Sequence, residues 1–116
     1  MLIKEFPEDF IVEEVLSYQP QRTGKYRLYR LTKKGWNTED AVSLLARVNN
    51  LQRKEIGFAG SKDKHAMTTQ FLTVPASTSL RGTSELAVEL EGYVDQRLVI
   101  GDLAGNRFVI VVRDLQ

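Results

Sequence analysis

Short runs with β-type alternation recur along this chain, but only one segment carries helical spacing. That imbalance constrains the fold more than any other feature. A sheet must bury at least one face, and a single helix is all the chain offers as cover. Phe10 to Leu16, bracketed by Pro7 and the polar stretch Ser17 to Gly24, predicts a strand. Lys25 to Leu31 alternates, with Tyr26 and Leu28 on one face and Tyr29 and Leu31 on the other. The short polar connection predicts that these two strands pair as a hairpin. Ile56 to Ala59, Thr69 to Val74, Leu86 to Tyr93, Leu98 to Ile100 and Arg107 to Arg113 predict further strands. Pro75 stops one of them. Ala76 to Ser84, small and polar, is expected to be the most weakly structured stretch. Gly105-Asn106 predicts a tight turn before the last strand.

Between Gly35 and Asn50 the period changes. Ala41, Val42, Leu45 and Val48, with Leu44 beside them, fall on one face of a helix. Asn37 or Thr38 can cap it, and Glu39 and Asp40 suit its first turn. A short helical turn is expected at Gln52 to Glu55. The expected fold class is therefore α/β in the α+β sense: a mixed, mostly antiparallel sheet with one main helix. With 116 residues, the chain has the size of one domain. The final run, RFVIVVR, is apolar on both alternating faces and calls for cover on both. One helix does not supply it, so something further is expected to complete the fold, either a partner chain or the rest of the protein.

Several classes are excluded early. Without cysteine there is no disulfide framework, no Cys-ligated zinc and no thiol catalysis. A single histidine and no clustered carboxylates speak against a metal site, and no metal is expected. Gly57, Gly60, Gly101 and Gly105 form no dinucleotide or phosphate-loop fingerprint. No apolar run approaches the ~18 residues of a membrane span. The start shows no apolar stretch behind a basic flank, so no signal peptide is expected. The expected setting is soluble and cytoplasmic, with no membrane partner.

The net charge of +1 hides an uneven distribution. Residues 1 to 20 carry one lysine against five acids, while residues 21 to 65 carry eleven Lys or Arg against four acids. A basic middle can attract phosphates; it can equally be solvated side chains on a strand and a helix. Tyr26, Tyr29 and Trp36, interleaved with Arg27, Arg30, Lys33 and Lys34, suit RNA contact, and they also suit an ordinary amphipathic strand. The loop Gly60-Ser61-Lys62-Asp63-Lys64-His65 is the most reactive-looking segment, lying between two expected strands. Flanking cations keep a carboxylate such as Asp63 ionised, fit to act as nucleophile, base or electrostatic stabiliser. By residue type alone, a turn-capping Asp is the commoner case. His65 has no second His or Cys and no Ser-His-Asp arrangement to join. Phe10 could stack on an extruded base or simply open a strand. Asn106 could orient a catalytic group or adopt a left-handed turn conformation.

Four segments then resemble one family. Phe6-Pro7-Glu8-Asp9-Phe10-Ile11-Val12-Glu13-Glu14 is similar to the PEDFxVxE motif of the TruD family of tRNA pseudouridine synthases. Gly35-Trp36-Asn37-Thr38 resembles its KxGxNT segment. Phe58-Ala59-Gly60-Ser61-Lys62-Asp63-Lys64-His65-Ala66-Met67-Thr68-Thr69-Gln70 resembles its AGxKDKxAxTxQ signature. Gly101-Asp102-Leu103-Ala104-Gly105-Asn106-Arg107-Phe108 resembles its GxLxGNxF motif. The four stand in the family's order across nearly the whole chain. The resemblance implies isomerisation of a tRNA uridine, commonly uridine thirteen, to pseudouridine without metal or organic cofactor. It implies that Asp63 is the catalytic aspartate and that Phe10, Asn106 and Phe108 line its pocket. Lys62, Lys64 and His65 would add positive charge near the RNA. Family members are much longer, so residues 1–116 resemble the N-terminal portion of a catalytic domain whose second half and inserted domain are not in this sequence. A catalytically inactive RNA-binding module and a subunit completed by another chain are the alternative expectations.

Overall fold

The sheet is organised around one strand, and everything that matters for the site follows from how its two edges are used. The structure, a computed structural model, describes residues 10–59 and 67–110, with Phe10 and residues 108–110 described by backbone only. The elements are β1 (Phe10–Leu16), β2 (Tyr26–Lys34), α1 (Thr38–Val48), β3 (Gly57–Phe58), β4 (Met67–Pro75), β5 (Leu86–Val94) and β6 (Leu103–Ile110). Single 3-10 turns sit at Arg53–Glu55 and Ile100–Asp102. The strand order is β5-β2-β4-β1-β6, with β3 also on β4. One edge of β4 pairs along its whole length with β2, from Lys34 opposite Met67 to Tyr26 opposite Pro75. The other edge is shared: β1 runs parallel to it over Met67–Thr69, and β3 runs antiparallel at Leu72 and Thr73. This is the expected mixed, mostly antiparallel sheet with one helix.

The hairpin expected from β1 and β2 does not form, because β4 lies between them. The intervening segment is put to another use. Leu16 and Tyr18 pack on Leu28, Phe71, Val94 and Leu98, a small core on one face of the sheet. Gln21 then pairs with Tyr93 on the outer side of β5. The opposite face is covered by α1, whose Ala41, Val42 and Leu45 pack on Tyr29, Leu31 and Leu72. The Asn37 side chain caps the helix, accepting the Asp40 N–H at 2.8 Å. Val48, expected on the buried face, is 38% exposed; Ala46 is buried instead.

Three other expectations are corrected. Leu98 to Ile100 is not a strand. It leads into the second 3-10 turn, where Asp102 Oδ2 accepts the Val99 N–H at 2.9 Å and Thr73 Oγ1 accepts the Leu98 N–H at 3.1 Å, so these donors go to side chains rather than to a strand. Gly105-Asn106 is not a tight turn. Both residues lie inside β6, where Gly105 (φ +152°) faces a register irregularity at Val15/Leu16, so the glycine serves a bulge. Ala76 to Ser84 is held firmly at its middle. Leu80 is buried, its N–H donates to the Tyr29 hydroxyl at 3.0 Å, and the Asn49 amide bonds both backbone groups of Arg81. Among the described residues no helix is long and apolar enough to cross a membrane.

Candidate functional site

On the helix-covered face, the core changes character toward the start of β4. Val74 and Leu72 are apolar, yet Gln70 and Thr68, next in the same alternating phase, are polar and equally buried. On β2 the phase Tyr29, Leu31 continues to Lys33, which stands opposite Thr68 and is only 1% exposed. Hydrogen bonds from Lys33 and to the Gln70 side-chain oxygen tie this region to the start of α1. Lys33 Nζ donates to the Trp36 carbonyl at 2.8 Å, in the turn that leads to α1. Thr38, the first helical residue, donates its hydroxyl to Gln70 Oε1 at 3.1 Å. Gln70 Nε2 is buried and has no hydrogen-bond partner among the described residues.

The shared edge of β4 leaves a gap. β1 pairs through Glu13 opposite Thr69, and β3 takes over only at Leu72. The Phe71 N–H falls between them and would be a buried donor without a backbone acceptor. Glu14 fills the gap: its Oε1 accepts that N–H at 2.9 Å. Glu14 is buried, with 5% of the residue exposed, and it also lines a cavity of about 230 Å³ with Tyr18, Arg30, Phe71, Glu91 and Arg107. Burial pushes the Glu14 carboxyl above its ordinary range, against the opposing pull of the Phe71 N–H and the Lys33 ammonium. Across β6, Asn106 stands opposite Glu14 in the ladder. Polar residues of β1, β2, α1 and β4 are thus linked along the first half of β4, with Asn106 of β6 opposite Glu14 in the ladder.

Of the expected site residues, Asp63, Lys62, Lys64 and His65 lie outside the described residues. Phe10 pairs with Ile110 and Phe108 with Val12 through the β1–β6 backbone ladder. Asn106 is exposed on β6 and is not left-handed; among the described non-glycine residues only Asn50 has positive φ. The aromatic and basic stripe of β2 is largely structural. Tyr29 is core, Trp36 packs against the core, and Arg27 donates to the Ala76 carbonyl at 2.8 Å while lying over Tyr93. Lys33, read with the other cations as a possible RNA contact, is buried.

The sequence reading missed Glu14 and Gln70 as buried polar groups, set Lys33 among the RNA-facing cations, and read Thr38 only as a candidate helix cap. Glu14, Thr38 and Gln70 lie within the motif segments, and their signal was available: a polar residue at the buried phase of a strand or at the first turn of a helix. Among the described residues no group of three His, Cys, Asp or Glu side chains could hold a metal ion.

The tRNA pseudouridine synthase D (TruD) family model matches residues 1–116. The chain is 40% identical over 115 residues to "Probable tRNA pseudouridine synthase D 1" of Methanococcus maripaludis, covering 97% of this chain and 30% of that protein. It is 39% identical over 116 residues to the tRNA pseudouridine synthase D of Leptospira interrogans, covering 97% of this chain and 28% of that protein. A solved structure titled "Crystal Structure of the Putative tRNA pseudouridine synthase D (TruD) from Methanosarcina mazei" superposes with a TM-score of 0.82 at 33% identity, over 95% of this chain and 26% of that one. The chain therefore spans about 30% of the length of the curated relatives it matches.

Proposed function

This chain belongs to the TruD family of tRNA pseudouridine synthases, and on that footing we propose that it carries the catalytic aspartate segment of a uridine isomerase acting on tRNA, at uridine thirteen. In that reaction the bond from uracil N1 to ribose C1′ breaks, the base turns, and its C5 bonds to C1′. C5 gives up a proton and N1 gains one, so the exchange balances without a cofactor. Asp63 either attacks C1′ or takes a proton from the ribose to open the intermediate. Phe10, Asn106 and Phe108 line the pocket around the turned base, and Lys62, Lys64 and His65 face the RNA backbone.

The observation that carries this reading is convergence. Residues of all four motif segments lie on or beside the first half of β4, with Asn106 opposite Glu14, Glu14 bonded to Phe71 and Thr38 bonded to Gln70. A second reading is favoured by the exposure of Asn106 on β6, the outermost strand among the described residues. In it, this chain binds tRNA and another polypeptide completes the cleft.

The test is incubation of unmodified tRNA transcripts with the chain, followed by carbodiimide labelling and primer extension, with Asp63→Ala as control. Pseudouridine that disappears in Asp63→Ala is the expected result. Product that survives the substitution refutes the role of Asp63. No product from a folded chain that still binds tRNA supports the second reading.

A further inference from the structure

We infer that Glu14 is a positioning residue for the reaction proposed above, holding the backbone of β4 just downstream of the segment that carries Asp63; the inference rests on that functional reading. β4 needs such a clamp. Its edge passes from β1 at Thr69 to β3 at Leu72, and the Phe71 N–H between them has the Glu14 carboxylate as acceptor. A glutamine could accept the same hydrogen bond without a charge to desolvate. The chain instead buries an acid and sets a fully buried lysine within electrostatic reach of it.

The position of that lysine explains the choice. Lys33 Nζ holds the Trp36 carbonyl at the entry to α1, and Thr38 of α1 holds Gln70 of β4. Glu14 is bonded to the next residue of β4, Phe71, and stands opposite Asn106 of β6. The carboxylate therefore joins two tasks. It satisfies an otherwise orphaned donor, and it offsets the cation that ties β2 to the helix start. A group that desolvation works against, kept where a neutral isostere fits, is the pattern of a site that trades stability for function.

The experiment compares the wild-type chain with Glu14→Gln and Glu14→Leu. Amide hydrogen exchange is followed by NMR, tRNA affinity by titration, and isomerisation under single-turnover conditions. In Glu14→Leu, exchange at Phe71 should rise roughly tenfold or more relative to Leu28, because the donor loses its acceptor. The single-turnover rate should fall by a similar factor, with tRNA affinity within about twofold of wild type. Glu14→Gln should restore protection at Phe71 and leave the rate intermediate. If Glu14→Leu does not fold, the glutamine variant decides: protection kept with a reduced rate supports the inference, and an unchanged rate overturns it. Wild-type protection of Phe71 in the leucine variant overturns the clamp. Faster exchange with an undiminished rate overturns the positioning role. If the wild-type chain makes no pseudouridine, the functional reading fails and takes the positioning role with it, while exchange at Phe71 still decides whether Glu14 holds β4.

Discussion

Gly57→Ala should be among the most damaging single-methyl additions available to this chain. Gly57 is buried in β3, opposite Thr73 of β4. A Cβ there would lie 2.4 Å from Thr73 Oγ1 and 2.6 Å from Arg97 Cγ. Neither neighbour yields freely. Thr73 is fully buried, and its hydroxyl accepts the Leu98 N–H at 3.1 Å. Arg97 is tied by its guanidinium to the carbonyls of Lys54 and Ile56. Overpacking a fixed site typically costs ~1–3 kcal/mol, and two blocked directions place this one near 2–3 kcal/mol. For a domain of this size that lowers Tm by roughly 8–12 °C.

The assay is urea and thermal unfolding followed by far-UV circular dichroism, run as a double-mutant cycle with Thr73→Ala. Thr73→Ala removes the nearer obstacle but leaves the Leu98 N–H without its acceptor, costing about 1–2 kcal/mol by itself. If the clash is the cause, Gly57→Ala should cost at least ~1 kcal/mol less in the Thr73→Ala background. A Gly57→Ala variant within about 0.5 kcal/mol of wild type refutes the reasoning. So does an undiminished cost in the double variant.

Three further outcomes are expected. The folded Glu14 carboxyl titrates above its unfolded value, beside Lys33 and the Phe71 N–H and in a cavity shared with Arg30, Glu91 and Arg107. Its contribution is therefore complete below the unfolded pKa and lost as pH rises through the folded one, so the stability of wild type relative to Glu14→Gln should decline across that window. Urea titrations at closely spaced pH values read this directly, and a flat or rising difference contradicts it. Asn49→Ala removes two bonds to Arg81 and one to the Leu45 carbonyl, so it should destabilise by about 1–2 kcal/mol and speed proteolysis within residues 77–84. Tyr29→Phe leaves the buried Leu80 N–H without its acceptor, so about 1–2 kcal/mol should be lost, with exchange rising first at the Leu80 amide.

The elements of this fold were largely legible in the sequence, while their pairing was less so. β1, α1 and β5 fall where alternation, capping and punctuation put them, because those signals are local. The hairpin expectation failed because sequence proximity says nothing about a stronger distant partner. β4 matches β2 along all nine residues, and the β1–β2 link is long enough to pass across the opposite face and reach β5. Leu98 to Ile100 looked like a strand by composition, but composition does not supply an edge to pair with. Gly105-Asn106 carried a turn signal whose glycine answers to a bulge instead.

The candidate site divides along the same line. Residue chemistry pointed to the segment around Asp63, while the polar framework of β1, β2, α1 and β4 went unread, because polar side chains belong by default to the surface. Lys33 looks like one more cation in a basic stretch until its phase is followed from Tyr29 and Leu31 into the core. Gln70 and Thr68 likewise continue the phase of Val74 and Leu72. What no local pattern contains is their meeting. Glu14 and Phe71 are 57 residues apart and Thr38 and Gln70 are 32 apart, yet each pair is joined by a hydrogen bond, at neighbouring residues of β4. Alternation shows which polar residues are buried, and only the strand order shows that they are buried together. A cluster assembled from such distant segments, where leucine or valine would fill the space with no polar group to satisfy, is better explained by what it holds in place than by its own contribution to stability.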